Sequence, residues 1–339
     1  MSSFAKTYCS MVLLLFGGLT ASFGQDPQFS QFYAAPIYLN PAFTGNTTQV
    51  RAAAIYRKQW PRITKAFNSF GFFYDMNIQK IKSGIGFVVL TDKSGASALK
   101  FTNIGLSYAY KTGIGRKVSI SAGARASYTI RGINKSELRF YDQYVRDDPN
   151  STIEDLPTNQ ITYFDLAAGM IVFSRSFWVG LSFDHLTQPY QSFIKIATVL
   201  PIKYSFHGGY KIPFEKTIKG DVTKSLTIAM NYKGQQDWDQ LDLGLYLDYQ
   251  GFILGLWYRG IPVLKAYQAG YSNNDAIIFL VGYKLADYIS IGYSFDLTIS
   301  KLSIASGGSH EISLIYEWAQ PKYKRDNMKK DFMMPCMKF

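Results

Sequence analysis

Three histidines, His185, His207 and His310, are the side chains of this sequence best placed by type for acid–base or nucleophilic work near neutral pH. Two of them have acids beside them, in Asp184-His185 and in Ser309-His310-Glu311. The second stretch contains the three residue types of a hydrolase triad. Successive residues of an extended chain face opposite sides, however, so a working triad would need partners from other strands. The same objection meets Asp184-His185. The histidines are therefore expected at strand ends or in loops, and the chain is expected not to be an enzyme.

Metal and cofactor chemistry fares no better. Isolated histidines offer no ligand spacing. Asp147-Asp148 and Glu154-Asp155 fall in one loop-like stretch without the ordered spacing of a calcium site. Gly113-Ile-Gly115 lacks the third glycine and the following helix of a phosphate cradle, and reads as a tight turn. The two cysteines are Cys9 and Cys336. Cys9 falls in an N-terminal leader, which leaves a single thiol with no internal disulfide partner. No cofactor is expected.

What must position any functional residue is a set of short alternating segments. The clearest is Gln240 to Tyr249, where Leu241, Leu243, Leu245, Leu247 and Tyr249 share one face while Asp242, Gly244, Tyr246 and Asp248 share the other. Fourteen such segments are predicted, at 51–58, 68–76, 84–91, 102–112, 117–130, 162–173, 177–185, 201–210, 225–233, 239–249, 252–259, 276–284, 289–296 and 309–316. The fold class is all-β: a transmembrane antiparallel β-barrel of about 14 strands, with lipid outside and a wet lumen inside. Long connections at Arg131–Ile161, Leu186–Leu200, Gly260–Asp275 and Leu297–Gly308 alternate with short ones such as Ser174–Ser176 and Gln250–Gly251. That is the asymmetry of a bacterial barrel with long outer loops and short periplasmic turns. Gly234–Trp238, short outside, and Lys211–Lys224, long inside, are the two exceptions.

The mature chain has no run of 18 apolar residues, so no helical anchor is expected. Residues 1–24 read as a secretory signal, with Lys6 before an apolar Met11–Leu19 and small residues near Gly24. Residues 25–49 are expected to form an N-terminal periplasmic plug or docking segment, 50–318 the outer-membrane barrel, and 319–339 a basic periplasmic tail. The formal net charge of +12 owes much to that tail, where Lys324, Arg325, Lys329 and Lys330 cluster. An exported protein rarely meets nucleic acid, so the tail is read as solvated or touching an acidic partner or anionic head groups. Trp318 is the expected closing aromatic of the last strand.

The leader is followed by Gln25-Asp-Pro-Gln-Phe-Ser-Gln-Phe-Tyr-Ala-Ala-Pro-Ile-Tyr-Leu-Asn-Pro-Ala-Phe-Thr-Gly45. Together with Tyr56-Arg-Lys-Gln-Trp-Pro61, Gly292-Tyr-Ser-Phe-Asp296, Gly308-Ser-His-Glu-Ile312 and the Cys-containing ending Pro335–Phe339, it resembles the PorP/SprF family of Bacteroidetes. The resemblance implies an outer-membrane protein of type IX secretion and gliding motility. It implies as partners a periplasmic peptidoglycan-binding lipoprotein of the machinery, or a type IX cargo such as a large secreted adhesin, beside outer-membrane lipid. The expected function is to anchor or help export such a cargo, or to link the machinery to the outer membrane. The alternative is a diffusion channel for small solutes.

Aromatics at 29, 32 and 33 have helical spacing, and Asn40-Pro41 and Thr44-Gly45 are stop and turn signals, so a short helix or coil of about two turns is predicted before the first strand, on the periplasmic side. It serves either as a plug or docking segment, or as a clasp sealing the barrel floor. Phe29, Gln31, Phe32, Asn40 and Pro41, with Lys324, Arg325, Lys329 and Lys330 of the tail, are the candidate partner contacts. Arg125 shares the polar face of its strand and either selects anions in an open pore or pairs with Asp242 and Asp248 in a closed one. Glycines spread through the strands mark a lumen plug or ordinary curvature.

Overall fold

The computed structural model describes residues 26–47, 50–63, 67–95, 99–115, 117–134, 138, 141–147, 158–193, 198–216, 222–268, 271–286, 288–300 and 304–318. The fourteen strands are β1 (Val50–Gln59), β2 (Phe67–Ile78), β3 (Ser83–Ser94), β4 (Leu99–Ile114), β5 (Val118–Ile133), β6 (Gln160–Phe173), β7 (Phe177–Asp184), β8 (Lys203–Lys216), β9 (Val222–Gln235), β10 (Trp238–Tyr249), β11 (Phe252–Gln268), β12 (Tyr271–Ala286), β13 (Ile289–Thr298) and β14 (Ser309–Trp318). Each pairs antiparallel with its sequence neighbours, and β1 closes on β14 with Val50 opposite Trp318. Closure leaves no unpaired edge to face lipid.

Alternation decides which side is which. Leu243, Leu245 and Leu247 of β10 are 39–45% exposed on the outer face, while Gln240, Asp242 and Tyr246 are buried inside. Leu106, Leu254 and Leu314 lie on the same outward band. Aromatics cluster at its two rims: Phe252 meets Tyr283 at 4.4 Å and Tyr288 meets Tyr316 at 5.8 Å at one rim, while Tyr56, Phe183 and Tyr204 lie near the other. Such girdles belong at the two membrane interfaces.

Two predicted connections are strand instead. β11 and β12 extend through most of Gly260–Asp275, with register shifts after Arg259 that take up the local irregularity. β8 and β9 likewise extend into Lys211–Lys224, which removes the one long periplasmic exception. The connection after β9 is short, as expected. A short helix, Tyr141–Val145, lies in the longest outer connection. Glu154, Asp155 and the basic tail, with Lys324, Arg325, Lys329, Lys330 and Cys336, lie outside the described residues, as does the predicted signal.

Residues 26–47 are inside the barrel. Residues 29–33 are coil and turn, and the helical part is α1 (Pro36–Leu39), followed by a 3₁₀ turn at Pro41–Phe43. Proline at the first position of each turn presets its φ, and the Asn40 side chain caps the second. Phe29, Tyr33, Ile37 and Phe43 join Ile55, Phe73, Trp178, Tyr246, Trp257 and Leu280 of the inner wall in one apolar cluster. The lumen is therefore filled by residues 26–47 of the same chain.

Candidate functional site

The N-terminal segment runs the length of the lumen. Its Thr44-Gly45 end sits at the periplasmic rim, where the Gly45 N–H donates to Asp75 Oδ2 at 2.9 Å and Lys111 Nζ donates to the Gly45 carbonyl. Arg51 holds the other Asp75 oxygen at 2.8 Å. At the far end, Asp26 lies beside His185 and Lys203, which flank the outer ends of β7 and β8. Of the alternatives read for this segment, its position is that of a plug: the chain rises from β1 through the barrel to its outer mouth.

Midway, Asn40 is fully buried. Its Oδ1 accepts from the Ala42 N–H at 2.9 Å, which orients the amide. Its Nδ2 then donates to the Leu181 carbonyl and to His207 Nε2, each at 2.9 Å. Because an amide nitrogen only donates, His207 Nε2 accepts and its proton sits on Nδ1. Phe43 stacks on the same imidazole at 5.3 Å. The wall makes room here with glycine. A Cβ on Gly169 would collide with the Asn40 amide, and one on Gly123 would lie 2.5 Å from the Pro41 carbonyl oxygen. These glycines answer to the plug. Others, such as Gly244 under Trp257, make room for wall aromatics.

Arg125 donates to the Ile37 carbonyl at 3.1 Å and pairs with Asp184 at 2.7 Å. It thus seats the plug, and neither Asp242 nor Asp248 is its partner. Asp242 pairs with Arg259 at 2.9 Å.

The densest charge network lies in the outer half. Glu311 takes the backbone N–H groups of Ser30 and Gln31 on its two oxygens, at 2.9 and 2.8 Å. Arg57 donates to Glu311 at 3.1 Å and to Asp296 at 2.8 Å. Arg259 bridges Asp242 and Asp296, and the Ser30 hydroxyl donates to Asp296 at 2.7 Å. The Gln31 side chain reaches the Glu311 carbonyl at 3.0 Å and accepts from Tyr33 and Ser313. Every carboxylate here has a guanidinium partner, the condition under which buried charge is tolerated. The stretches that carry the family resemblance supply these groups: Ser30 and Gln31 come from the first, Arg57 from the second, Asp296 from the third and Glu311 from the fourth.

At the mouth, His185 adopts a left-handed backbone (φ 62°), which turns its ring inward instead of outward as strand alternation implied. Its Nδ1 meets Asp165 at 2.7 Å and its Nε2 meets Asp26 at 2.9 Å. Burial lowers its pKa, but Asp26 and the hydrogen bonds to Asp165 and Asp26 outweigh that and hold it up to about 9. Burial raises the Asp26 pKa, and Lys203 and His185 overcome it to hold the carboxyl well below its ordinary range. His207 is mid-strand in the lumen, not at a strand end. His310 points outward against Phe295, at 5.1 Å, while Glu311 points in. Ser309-His310-Glu311 therefore does not converge.

Of the candidate contacts, Phe29, Gln31, Asn40 and Pro41 are buried and Phe32 is half-buried, all facing the barrel's own inner wall. In the single chain their docking surface is internal. Arg57 and Asp296 are not singled out as contacts from sequence, and Glu311 is weighed there only as the acid of a triad.

No curated protein matches the chain. Among solved structures it is similar to outer-membrane proteins. Omp33 of Acinetobacter baumannii is 10% identical, with TM-score 0.44, over 82% of this chain and 100% of that one. The CymD monoaromatic hydrocarbon channel is 11% identical, with TM-score 0.48, over 90% and 96%. The Pseudomonas putida toluene transporter TodX is 7% identical, with TM-score 0.44, over 86% and 94%. The family model described as type IX secretion system membrane protein PorP/SprF matches residues 21–316. With that match over nearly its whole length, this outer-membrane β-barrel belongs to the PorP/SprF family of type IX secretion system membrane proteins.

Proposed function

We propose that this barrel holds a type IX cargo, a large secreted adhesin-like protein, at the cell surface or supports its export, and does not conduct solutes. The observation that carries this reading is the filled lumen: residues 26–47 pack against the wall from the periplasmic rim to the outer mouth. A diffusion channel needs a continuous water path. The outer surface also offers a contact area. Tyr141 and Val145 of the loop helix are 78% and 66% exposed, above the membrane, where large apolar side chains are most useful against a protein partner. The candidate contacts for a peptidoglycan-binding lipoprotein are the basic residues Lys324, Arg325, Lys329 and Lys330, chosen for their charge in the sequence.

The test is photo-cross-linking in native cells from a benzoylphenylalanine at position 141, followed by mass spectrometry. Recovery of a large secreted protein supports the cargo role. Recovery of periplasmic machinery alone from a probe in the tail would assign the protein to the machine instead.

A further inference from the structure

At the outer mouth, plug and wall enclose a cavity of about 50 Å³ that is lined by Asp26, Gln28, Phe32, Tyr38, Lys203 and Lys233, among others. One water needs ~10–15 Å³, so the space suits a carboxylate-sized group. Two of its donors stand out. The Gln28 Nε2 is buried with no hydrogen-bond partner. Lys233 lies with its Nζ 5.2 Å from the Phe32 ring centroid, and among the described residues no carboxylate is within ion-pairing distance of it. Lys203, by contrast, is committed to Asp26 at 2.5 Å and Asp184 at 3.5 Å. Gln235 already donates to the Pro201 carbonyl at 2.9 Å.

We propose that this cavity binds a single carboxylate group presented from the cell exterior, held by Lys233 and the side-chain amide of Gln28. A carboxylate is an acceptor with several lone pairs, which matches two donor groups that lack acceptors. Asp26 and Asp184 line the same space and repel a phosphate dianion more than a monoanion. Phe32 and Tyr38 supply the apolar and aromatic wall that an acyl or peptide stem would lie against. The site is half plug and half wall, so its ligand touches both.

The experiment is NMR line broadening of ¹³C-acetate titrated into the full mature protein in detergent, with inorganic phosphate as competitor. Saturable broadening that phosphate does not displace is expected, weakened at least tenfold in Lys233→Met and retained in Lys233→Arg. Lys58→Met, on an exposed wall lysine, should leave it unchanged. Gln28→Leu, a plug change that leaves the wall intact, should weaken it too and serves if Lys233→Met does not fold. Equal broadening in the native protein, Lys233→Met and Gln28→Leu, or none at all in the native protein, overturns the site. Displacement by phosphate at lower concentration than acetate overturns the carboxylate and points to a lipid phosphate.

Discussion

The Glu311 carboxylate accepts the backbone N–H of Gln31 at 2.8 Å, joining the last strand of the barrel to the first described turn of the chain. Its second oxygen takes the Ser30 N–H, and Arg57 neutralises it. Substituting Glu311 therefore strands a buried arginine and two backbone donors together. Glu311→Ala should cost about 3–5 kcal/mol of plug docking, the range for breaking a buried pair from one side. A protease site placed before Asp26 should then be cut far faster than in the native protein. Equal rates would mean that the network does not retain the plug.

Gly169→Val places a side chain where the Asn40 amide lies. The barrel should still close, because the neighbouring strands pair through backbone, while the plug loses its middle seat. Heat-modifiable gel migration should be preserved, and a cysteine at position 42, where Ala42 is fully buried, should become reactive to a small thiol reagent. Loss of the folded band, with no labelling, would show that this position serves the wall alone.

The mouth contact should depend on pH. His185 is held up to about 9 against an ordinary 6.5. A raised value stabilises the state with the proton bound, so the contribution is full below about 6.5 and is lost as pH climbs through about 9. The span corresponds to roughly 3 kcal/mol. Asp26, held low, contributes above its ordinary range and loses that only in acid. Protease access to the plug start should therefore rise between pH 7 and 10, and His185→Gln should remove the step. A flat profile in the native protein would contradict it.

The outer face should behave as lipid-facing wall. Leu245→Arg, on the exposed side of β10, should cost about 2–4 kcal/mol in urea unfolding from liposomes if it lies near the midplane. A comparably small effect in liposomes and in aqueous polymer would argue against burial in the membrane.

The barrel was legible because a period of two is local. Leu243 and Asp242 announce their faces from their neighbours alone. The extended hairpin of β11 and β12 was hidden by Gly260 and Pro262, which break strand patterns even where pairing resumes beyond an irregularity. The plug lock was hidden for a different reason. Asp296 and Glu311 look like any residue of a wet lumen, and their partners Ser30 and Gln31 lie more than 260 residues away. Alternation did carry part of the signal. His207 shares the inward parity of Ser205, and Glu311 shares that of Ser309 and Ser313. The inward turn of His185 depends on one left-handed residue, which no pattern of side-chain types reveals.

The most direct test of the central claim is planar-bilayer conductance of the purified mature protein beside a variant lacking residues 26–47. The filled lumen predicts that the native protein is electrically silent at moderate voltage and that the deletion variant opens stable, discrete channels. Stable conductance in the native protein, unchanged by the deletion, would contradict it and make the protein a pore.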